Sequence, residues 1–176
     1  DLGNKEALRR LVRGSEAVLH VAGVVNAPDP AGFEAGNVTG TLNLIEACQA
    51  EGVRRFVFVS SLSAREPELS AYGASKARAE KVVMASGLDW TIVRPPAIYG
   101  PRDTEMFEMF RIARWGLMPM PPREGRMSVI HAADLSRLLL ALVPGGEAVS
   151  GQVFEPDDGR QGGWSHYEMA RAIGWA

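Results

Sequence analysis

Apolar residues follow two patterns along the chain. Short runs rich in β-branched and aromatic residues alternate with longer segments in which apolar residues recur at helical spacing. The short runs predict strands over residues 17–21, 55–59, 90–93, 127–130 and 152–154. The longer segments predict helices over residues 6–12, 39–51, 71–86, 105–115 and 132–142, with a last helix after Ser165. This alternation is typical of a parallel sheet covered by helices.

Individual residues indicate where several helices begin or end and which strand is buried. Gly52 and Gly87 follow predicted helices as C-caps. The run 55–59 is almost continuously apolar, as expected for a central strand covered on both faces. Ser165 and Glu168 have the spacing of a capping box at the start of the last helix.

The sequence changes in character after Gly100. Four prolines, at positions 101, 119, 121 and 122, surround a predicted helix rich in Met and Phe. This composition favours a cap or lid over further sheet. We therefore predict a sheet-forming domain over residues 1–100 and a C-terminal substrate-binding or lid segment over 101–176.

Composition narrows the class of partner. Hydrophobic residues make up 46% of the chain, charged residues 23%, and the net charge is -2. These values give no reason to expect nucleic acid or an anionic membrane as partner, so a small-molecule ligand is expected by default. The single Cys48 excludes an intrachain disulfide and a Cys-based zinc site, which fits a cytoplasmic protein, and three scattered histidines predict no metal site.

The beginning of the chain is unusual. It starts at Asp1-Leu2 rather than at Met and runs directly into an amphipathic segment. We expect that an N-terminal part is missing.

The sharpest chemical signal is the pair Tyr72 and Lys76. Residues four apart lie on one face of a helix, so the phenol and the ammonium point the same way. Lowering a phenol pKa by ~3 units requires ~4 kcal/mol, which a neighbouring ammonium and an oxidised nicotinamide can largely supply. Ser61, favoured over Ser60, stands at a strand end where its hydroxyl could orient a substrate oxygen. The alternative is that Tyr72 and Lys76 merely lie on a solvated helix face.

Five motifs occur in an order that resembles the extended, epimerase/dehydratase-like short-chain dehydrogenase/reductases. They are His20-Val21-Ala22-Gly23, residues 37–47 (NVTGTLNLIEA), Phe58-Val59-Ser60-Ser61, Tyr72-Gly73-Ala74-Ser75-Lys76, and residues 94–101 (RPPAIYGP). The resemblance continues through residues 130–134 and so covers nearly the whole chain. It implies an α/β fold of the Rossmann-like, doubly wound kind, with NAD or NADP as cofactor.

The resemblance also implies roles for individual residues. Tyr72 would be the catalytic acid/base, Ser61 its hydrogen-bonding partner, and Lys76 both the tuner of Tyr72 and a ligand of the nicotinamide ribose. The further cofactor-binding residues implied are Asp1 and Leu2 at the adenine, Ala22 and Gly23 beside ribose and phosphate, Asn37 near the active site, and Pro95 near the carboxamide. For Gly23 an ordinary strand-end glycine, and for Asn37 a plain helix N-cap, are the alternatives.

Departures from the family pattern bear on cofactor and substrate. The glycine-rich turn that receives the pyrophosphate is absent, so we expect this chain by itself to bind a dinucleotide poorly. Met127 stands where many nucleotide-sugar enzymes have an arginine, with Arg126 one residue away, and Ala97 replaces a frequent polar residue. A lid rich in Met, Phe and Pro favours apolar contacts over a diphosphate clamp.

Three functions follow as hypotheses. The first is an NAD(P)-dependent oxidoreductase of the epimerase/dehydratase type that acts on a hydroxyl or carbonyl of a small molecule, possibly a nucleotide sugar. The second is a noncatalytic dinucleotide-binding scaffold or redox sensor, and the third is a reductase of an apolar ketone. The resemblance also implies a homodimer through the helices over 39–51 and 71–86, with the alternative that their outer faces, which carry Arg78 and Lys81, face water.

Other polar residues are expected to have structural roles. His20 lies on a buried strand and Cys48 on the apolar face of a helix, so both are predicted to belong to the core. His131 and Asp134 are predicted to fix the start of the helix over 132–142.

Overall fold

The computed structural model describes residues 1–103, 107, 108, 111, 112, 115 and 125–174. The chain divides into two compact units, Asp1–Arg94 with Leu138–Glu155, and Pro95–Arg137 with Pro156–Ala176. Most of the predicted helix over 105–115 lies outside the described residues. The domain boundary predicted after Gly100 stays a prediction.

The first unit contains a four-stranded parallel sheet. Its strands are β1 (Ala17–His20), β2 (Arg55–Val59), β3 (Asp89–Val93) and β7 (Gln152–Phe154), in the order β1-β2-β3-β7. Val57 of β2 lies between Leu19 of β1 and Thr91 of β3. Every residue of β2 is buried, which confirms the prediction of a central strand.

Helices cover this sheet. They are α1 (Lys5–Val12), α2 (Pro30–Phe33), a π-helical segment (Glu34–Thr39), α3 (Gly40–Ala50) and α4 (Ala71–Met84), with two 3₁₀ turns over Leu62–Arg65 and Pro67–Leu69. The core joins apolar side chains of α1, α3 and α4 to those of β2 and β3. Its largest fully buried members are Phe56, Phe58, Ile45, Ile92 and Val83.

The strand that carries the centre of the sheet begins with a buried charge. Arg55 is 6% exposed, and its guanidinium donates to the carbonyl oxygens of Leu142 at 2.6 Å and Val143 at 3.3 Å. These carbonyls end α5 (Ala132–Leu142), where a cation is favoured by the helix dipole. Further bonds to Asp89 and Thr91 satisfy the remaining donors, so the charge is compensated inside the fold.

The second unit has two small sheets. Strand β4 (Ala97–Tyr99) pairs in parallel with β6 (Val129–His131), and β5 (Arg126–Met127) pairs antiparallel with β8 (Trp164–Ser165). The strand predicted over 127–130 is therefore wrong as one element, because it divides between two sheets at Ser128.

The last helix, α6 (His166–Gly174), begins as predicted. The Ser165 amide donates to Glu168 Oε2 at 2.8 Å and the Glu168 amide donates to Ser165 Oγ at 3.2 Å, which confirms the capping box. These bonds lower the pKa of Glu168. Within the described residues, no helix combines the length and the apolarity needed to cross a membrane.

The sequence analysis missed the helical segment over residues 30–39. Asp29 caps α2 through a bond from Gly32 N to its Oδ1 at 2.8 Å, and Pro30 occupies the first turn. The chain then continues through a π-helical segment directly into α3, so residue 39 is not the beginning of a helix. Asn37 lies inside this continuous helical run, and the alternative of a plain N-cap is wrong.

A buried ion pair joins α4 to the end of β3. The carboxylate of Glu80, 2% exposed, accepts from Arg94 Nε at 2.9 Å and Nη2 at 2.6 Å, and Glu155 accepts from Arg94 Nη1 at 3.1 Å. The Glu80 carboxylate raises the pKa of Arg94 further above its usual value. A second ion pair of α4, Arg78 with Glu34 at 2.6 Å, is about half exposed on both sides.

We expect Glu80→Gln to lower the free energy of unfolding by about 3 kcal/mol, since it leaves a largely buried guanidinium with one partner. Glu34→Gln, which removes the exposed pair of the same helix, should cost less than about 1 kcal/mol. Urea unfolding monitored by circular dichroism measures both. Equal losses for the two variants would contradict a structural role for burial at Glu80.

Candidate functional site

The predicted site residues of the first unit lie at the carboxyl ends of β1 and β2. Ala22 and Gly23 follow β1, and Ser60 and Ser61 follow β2. Tyr72 and Lys76 lie in the first two turns of α4. The carboxyl ends of parallel strands are where open α/β sheets bind ligands.

Local sequence sets where α4 begins. Ser70 is the N-cap, and its Oγ accepts from Gly73 N at 2.9 Å. A Cβ atom on Gly73 would lie 2.5 Å from the carbonyl oxygen of Ser63, so only glycine lets the first turn of α4 pack this closely on the 3₁₀ turn. The helix start that carries Tyr72 is therefore held against the loop that carries Ser61.

Lys76 is not a surface residue. It is 4% exposed, its Nζ donates to the carbonyl oxygen of Val59 at 2.8 Å, and the ammonium lies 4.5 Å from the centroid of the Phe58 ring. Burial lowers its pKa to about 8, against the opposing effect of Glu80. The alternative of a solvated helix face is wrong for this residue.

Tyr72 lies one turn before Lys76 and is half-buried. Its ring packs on Phe33 of α2, with centroids 6.0 Å apart and planes tilted by 59°. The helical segment over residues 30–39, which was not predicted from the sequence, therefore packs against the ring of Tyr72.

The two serines after β2 differ in how their hydroxyls are used. Ser61 Oγ accepts from Ser63 N at 3.2 Å and so caps the 3₁₀ turn, which leaves its own proton uncommitted in that bond. Ser60 is 4% exposed, and its hydroxyl has no hydrogen-bond partner among the described residues. A buried polar atom without a hydrogen-bond partner destabilises the fold. Ser60 is therefore a second candidate ligand contact, although Ser61 was favoured over it from the sequence.

Asn37 is buried, and its amide is bonded on both sides. Oδ1 accepts from Val24 N at 2.7 Å, while Nδ2 donates to Val24 O and to Ser75 Oγ, both at 2.9 Å. A Cβ on Gly23 would lie 3.0 Å from Asn37 Oδ1 and 3.8 Å from Lys76 Nζ. The structure thus brings Gly23, Asn37 and Lys76 together.

Leu2 is held against α3, whereas Asp1 is exposed and bonds locally. The Leu2 carbonyl accepts from Asn43 Nδ2 at 2.9 Å, and Asp1 Oδ1 accepts from Gly3 N at 2.8 Å. Leu2 and Ala22 both line a largely apolar pocket of about 320 Å³ over β1. Asn43, 41 residues away from Leu2, was not predicted to have this role, because a helix pattern alone does not tell which buried amide meets a distant carbonyl.

Pro95 is buried and is the first residue of the second unit. Its predicted role near a nicotinamide carboxamide stays a prediction, as do the roles of the other predicted site residues. In the second unit the Arg126 guanidinium donates to the carbonyls of Gly162 at 2.8 Å and Gly163 at 3.2 Å.

The residues with predicted structural roles lie where expected. His20 is 2% exposed, bonds to Thr41 Oγ1 at 2.9 Å, and has its pKa lowered to about 4 by burial and then by Lys76. Cys48 is fully buried, which raises its pKa to about 11. His131 Nδ1 accepts from Ala133 N at 3.2 Å in the first turn of α5. In the part of the chain that the structure describes, no three His, Cys, Asp or Glu side chains are grouped to hold a metal ion.

The parallel sheet covered by helices places the first unit among the α/β proteins that bind ligands at the carboxyl ends of their strands. Comparison with known families agrees, because a family model described as NAD(P)H-binding matches residues 1–142. The chain belongs to this family. This match confirms NAD or NADP as the cofactor class, and together with the similarity to curated relatives and solved structures it confirms the predicted Rossmann-like fold and the resemblance to extended short-chain dehydrogenase/reductases.

Individual relatives and solved structures show the range of the similarity. The chain is 42% identical over 172 residues to ceramide reductase of Caulobacter vibrioides, covering 97% of this chain and 53% of that protein. It is 25% identical to mitochondrial NADH dehydrogenase 1 alpha subcomplex subunit 9 of Dictyostelium discoideum, covering 88% and 43%. It superposes on the dTDP-glucose 4,6-dehydratase DesIV of Streptomyces venezuelae, crystallised with NAD, with a TM-score of 0.84, 24% identity and coverage of 98% and 61%. The chain thus spans about half the length of its curated relatives.

The buried lysine predicts an unusual dependence of stability on pH. Because the pKa of Lys76 falls from 10.5 in the unfolded chain to about 8 in the folded one, the unfolded state binds more protons between these values. The contribution of Lys76 to stability should therefore rise with pH across this window, by about 2 kcal/mol between pH 8 and 10, while the raised pKa of Cys48 contributes in the opposite direction above pH 9. Lys76→Met should lose this rise.

The measurement is urea unfolding at several pH values for wild type, Lys76→Met and Lys81→Met. Lys81 is an exposed residue of the same helix and serves as the control, so its variant should keep the wild-type slope. A slope that is unchanged in Lys76→Met would contradict burial of the ammonium.

Proposed function

We propose that this protein is an NAD(P)-dependent oxidoreductase that acts on a carbonyl or hydroxyl group of a small molecule. The observation that carries the proposal is the position of Lys76, buried beside the end of β2 and one turn after the half-buried Tyr72. A buried ammonium is costly, and its position one helical turn after a tyrosine supports an acid/base pair.

The residues present fit a dinucleotide at two points. Ser60 has a buried hydroxyl without a partner among the described residues, and Ala22 and Gly23 expose backbone at the end of β1. We propose that these residues, with Asp1, Leu2 and Lys76, form the cofactor side of the site, and that Asn37 supports it by holding the loop that carries Gly23. The bound nicotinamide supplies hydride transfer.

The chain's own residues handle the proton. Tyr72 would donate its hydroxyl proton to the substrate oxygen in reduction, or accept one in oxidation. Lys76, with its pKa near 8, is largely protonated at pH 7 and its charge favours the phenolate form of Tyr72. Ser61 would hold the substrate oxygen, since its proton is not used in capping the 3₁₀ turn.

Among possible substrates we favour an apolar ketone over a nucleotide sugar. Met127 occupies the β5 position where a phosphate-binding arginine would stand, and the guanidinium of the neighbouring Arg126 is bonded to two backbone carbonyls. The 42% identity to a ceramide reductase supports the same choice. A nucleotide sugar remains the alternative substrate of the same redox site.

A noncatalytic dinucleotide-binding scaffold is the second candidate function. The similarity to a subunit of NADH dehydrogenase favours it. The presence of Tyr72, Lys76 and Ser61 together opposes it, because a scaffold does not require an acid/base pair.

We expect Tyr72→Phe to lower kcat by about 10² to 10⁴ while the dissociation constant for the cofactor changes little. Isothermal calorimetry and stopped-flow absorbance of NADH and NADPH on the full-length protein measure the two effects. Tyr167→Phe, at a tyrosine 57% exposed on α6, is the matched control and should behave as wild type. Cofactor binding without turnover in a broad carbonyl screen would favour the scaffold instead.

The substrate proposal has its own measurement. With aliphatic ketones of increasing chain length, kcat/KM should rise by up to about fourfold for each methylene buried. UDP-glucose and dTDP-glucose should neither bind in calorimetry nor be turned over. Tight binding of either nucleotide sugar, with no dependence on ketone chain length, would overturn the choice of an apolar substrate but not the oxidoreductase proposal.

A further inference from the structure

A continuous chain of buried hydrogen bonds runs from β1 through α3 to the first turn of α4. His20 Nε2 bonds to Thr41 Oγ1 at 2.9 Å, and Thr41 Oγ1 donates to the carbonyl oxygen of Asn37 at 2.6 Å. From Asn37 the chain continues through Nδ2 to Ser75 Oγ at 2.9 Å, and from Ser75 Oγ to the Tyr72 carbonyl oxygen at 2.7 Å. His20, Thr41, Asn37 and Ser75 are each at most 2% exposed.

The direction of every bond in this chain is fixed. A hydroxyl has one proton, and the protons of Thr41 and Ser75 go to the carbonyls of Asn37 and Tyr72. Thr41 Oγ1 must therefore accept from His20, which sets that ring in the neutral form protonated at Nε2. Ser75 Oγ must likewise accept from Asn37, which agrees with the amide orientation required by Val24.

Asn37 joins this chain to the loop after β1. Residues 21–25 have no strand pairing, and both polar backbone groups of Val24 are bonded to the Asn37 amide. The Asn37 amide thus makes the hydrogen bonds to this loop that a neighbouring strand would otherwise make. Because a Cβ on Gly23 would lie 3.0 Å from Asn37 Oδ1, the amide also leaves little room for a side chain at the residue predicted to contact the cofactor.

We propose that His20, Thr41, Asn37 and Ser75 are positioning residues that lock the loop over 21–25 to the helix start carrying Tyr72. The cofactor side and the proton-transfer side of the site are thereby held in one geometry. Asn37 acts through Val24 and Ser75, because both protons of its amide and its Oδ1 are bonded to these two residues. The consequence for catalysis rests on the proposed function, whereas the locking of the loop does not.

The first test uses the cofactor-free protein. Hydrogen exchange measured by NMR should show the Val24 amide exchanging at least about tenfold faster in Ser75→Ala and Thr41→Val, because Asn37 loses one of its anchors. The Val57 amide of the central strand reports global opening in the same sample. Ile45→Val, a buried α3 substitution outside the hydrogen-bond chain, should change Val24 no more than Val57.

The nitrogen shifts of His20 give an independent measurement. Wild type and Thr41→Ser should show protonation at Nε2 alone, and Thr41→Val should show a mixture of the two neutral forms. If the tautomer is unchanged in Thr41→Val, and Val24 exchange follows Val57 in both variants, the residues only fill the core and the proposal is overturned.

The last test is a double-mutant cycle on the full-length protein. Thr41→Val and Ser75→Ala should each lower kcat. Since Thr41 and Ser75 both act through Asn37, the effects of the two substitutions should be clearly non-additive. Thr41→Ser, which keeps the hydroxyl, should retain most of the wild-type kcat. KM for the carbonyl substrate should change less than kcat. Independent, additive effects would overturn the positioning role in catalysis. Faster Val24 exchange in a protein that binds neither NADH nor NADPH would support the locked loop and overturn the proposed function.

Discussion

The site depends on the burial of one ammonium group. Burial removes most of the water around the Lys76 ammonium. In place of that water, Nζ bonds to the Val59 carbonyl and lies over the Phe58 ring. Both partners belong to β2, so the charge can be accommodated only if α4 lies directly against the carboxyl end of the central strand. Glu80, one turn further along α4, opposes the loss of the charge and pairs with Arg94.

Close packing around this lysine explains the small residues nearby. Gly73 lets the start of α4 approach the carbonyl of Ser63, and Gly23 lets the loop after β1 approach Asn37 and Lys76. Neither glycine has a positive φ, so the requirement is space rather than backbone freedom. A motif that resembles a cofactor-binding signature thus also reflects packing between protein groups.

Much of this architecture could be predicted from sequence because it depends on local patterns. The continuous apolar run of β2, the cap at Ser165, and the one-turn spacing of Tyr72 and Lys76 are short-range signals. The π-helical segment was missed because its residues resemble a loop followed by a helix start. Burial of Lys76 could not be predicted from a periodic pattern, since it depends on the carbonyl of Val59, 17 residues earlier. The bonds of Asn37 reach Val24 and Ser75, which are 13 and 38 residues away.

A count of used and unused hydrogen-bonding groups separates positioning residues from ligand contacts. The amide of Asn37 and the hydroxyl protons of Thr41 and Ser75 are committed within the protein, so these residues have little left to offer a ligand. Ser60 has an unsatisfied buried hydroxyl among the described residues, and Ser61 retains its proton. Hydroxyl contacts to a ligand are therefore expected from the end of β2, while Asn37, Thr41 and Ser75 hold the backbone that shapes the site. The same count explains why family motifs mix both kinds of residue: a site that transfers protons needs its supporting bonds satisfied before its reactive groups can be left free.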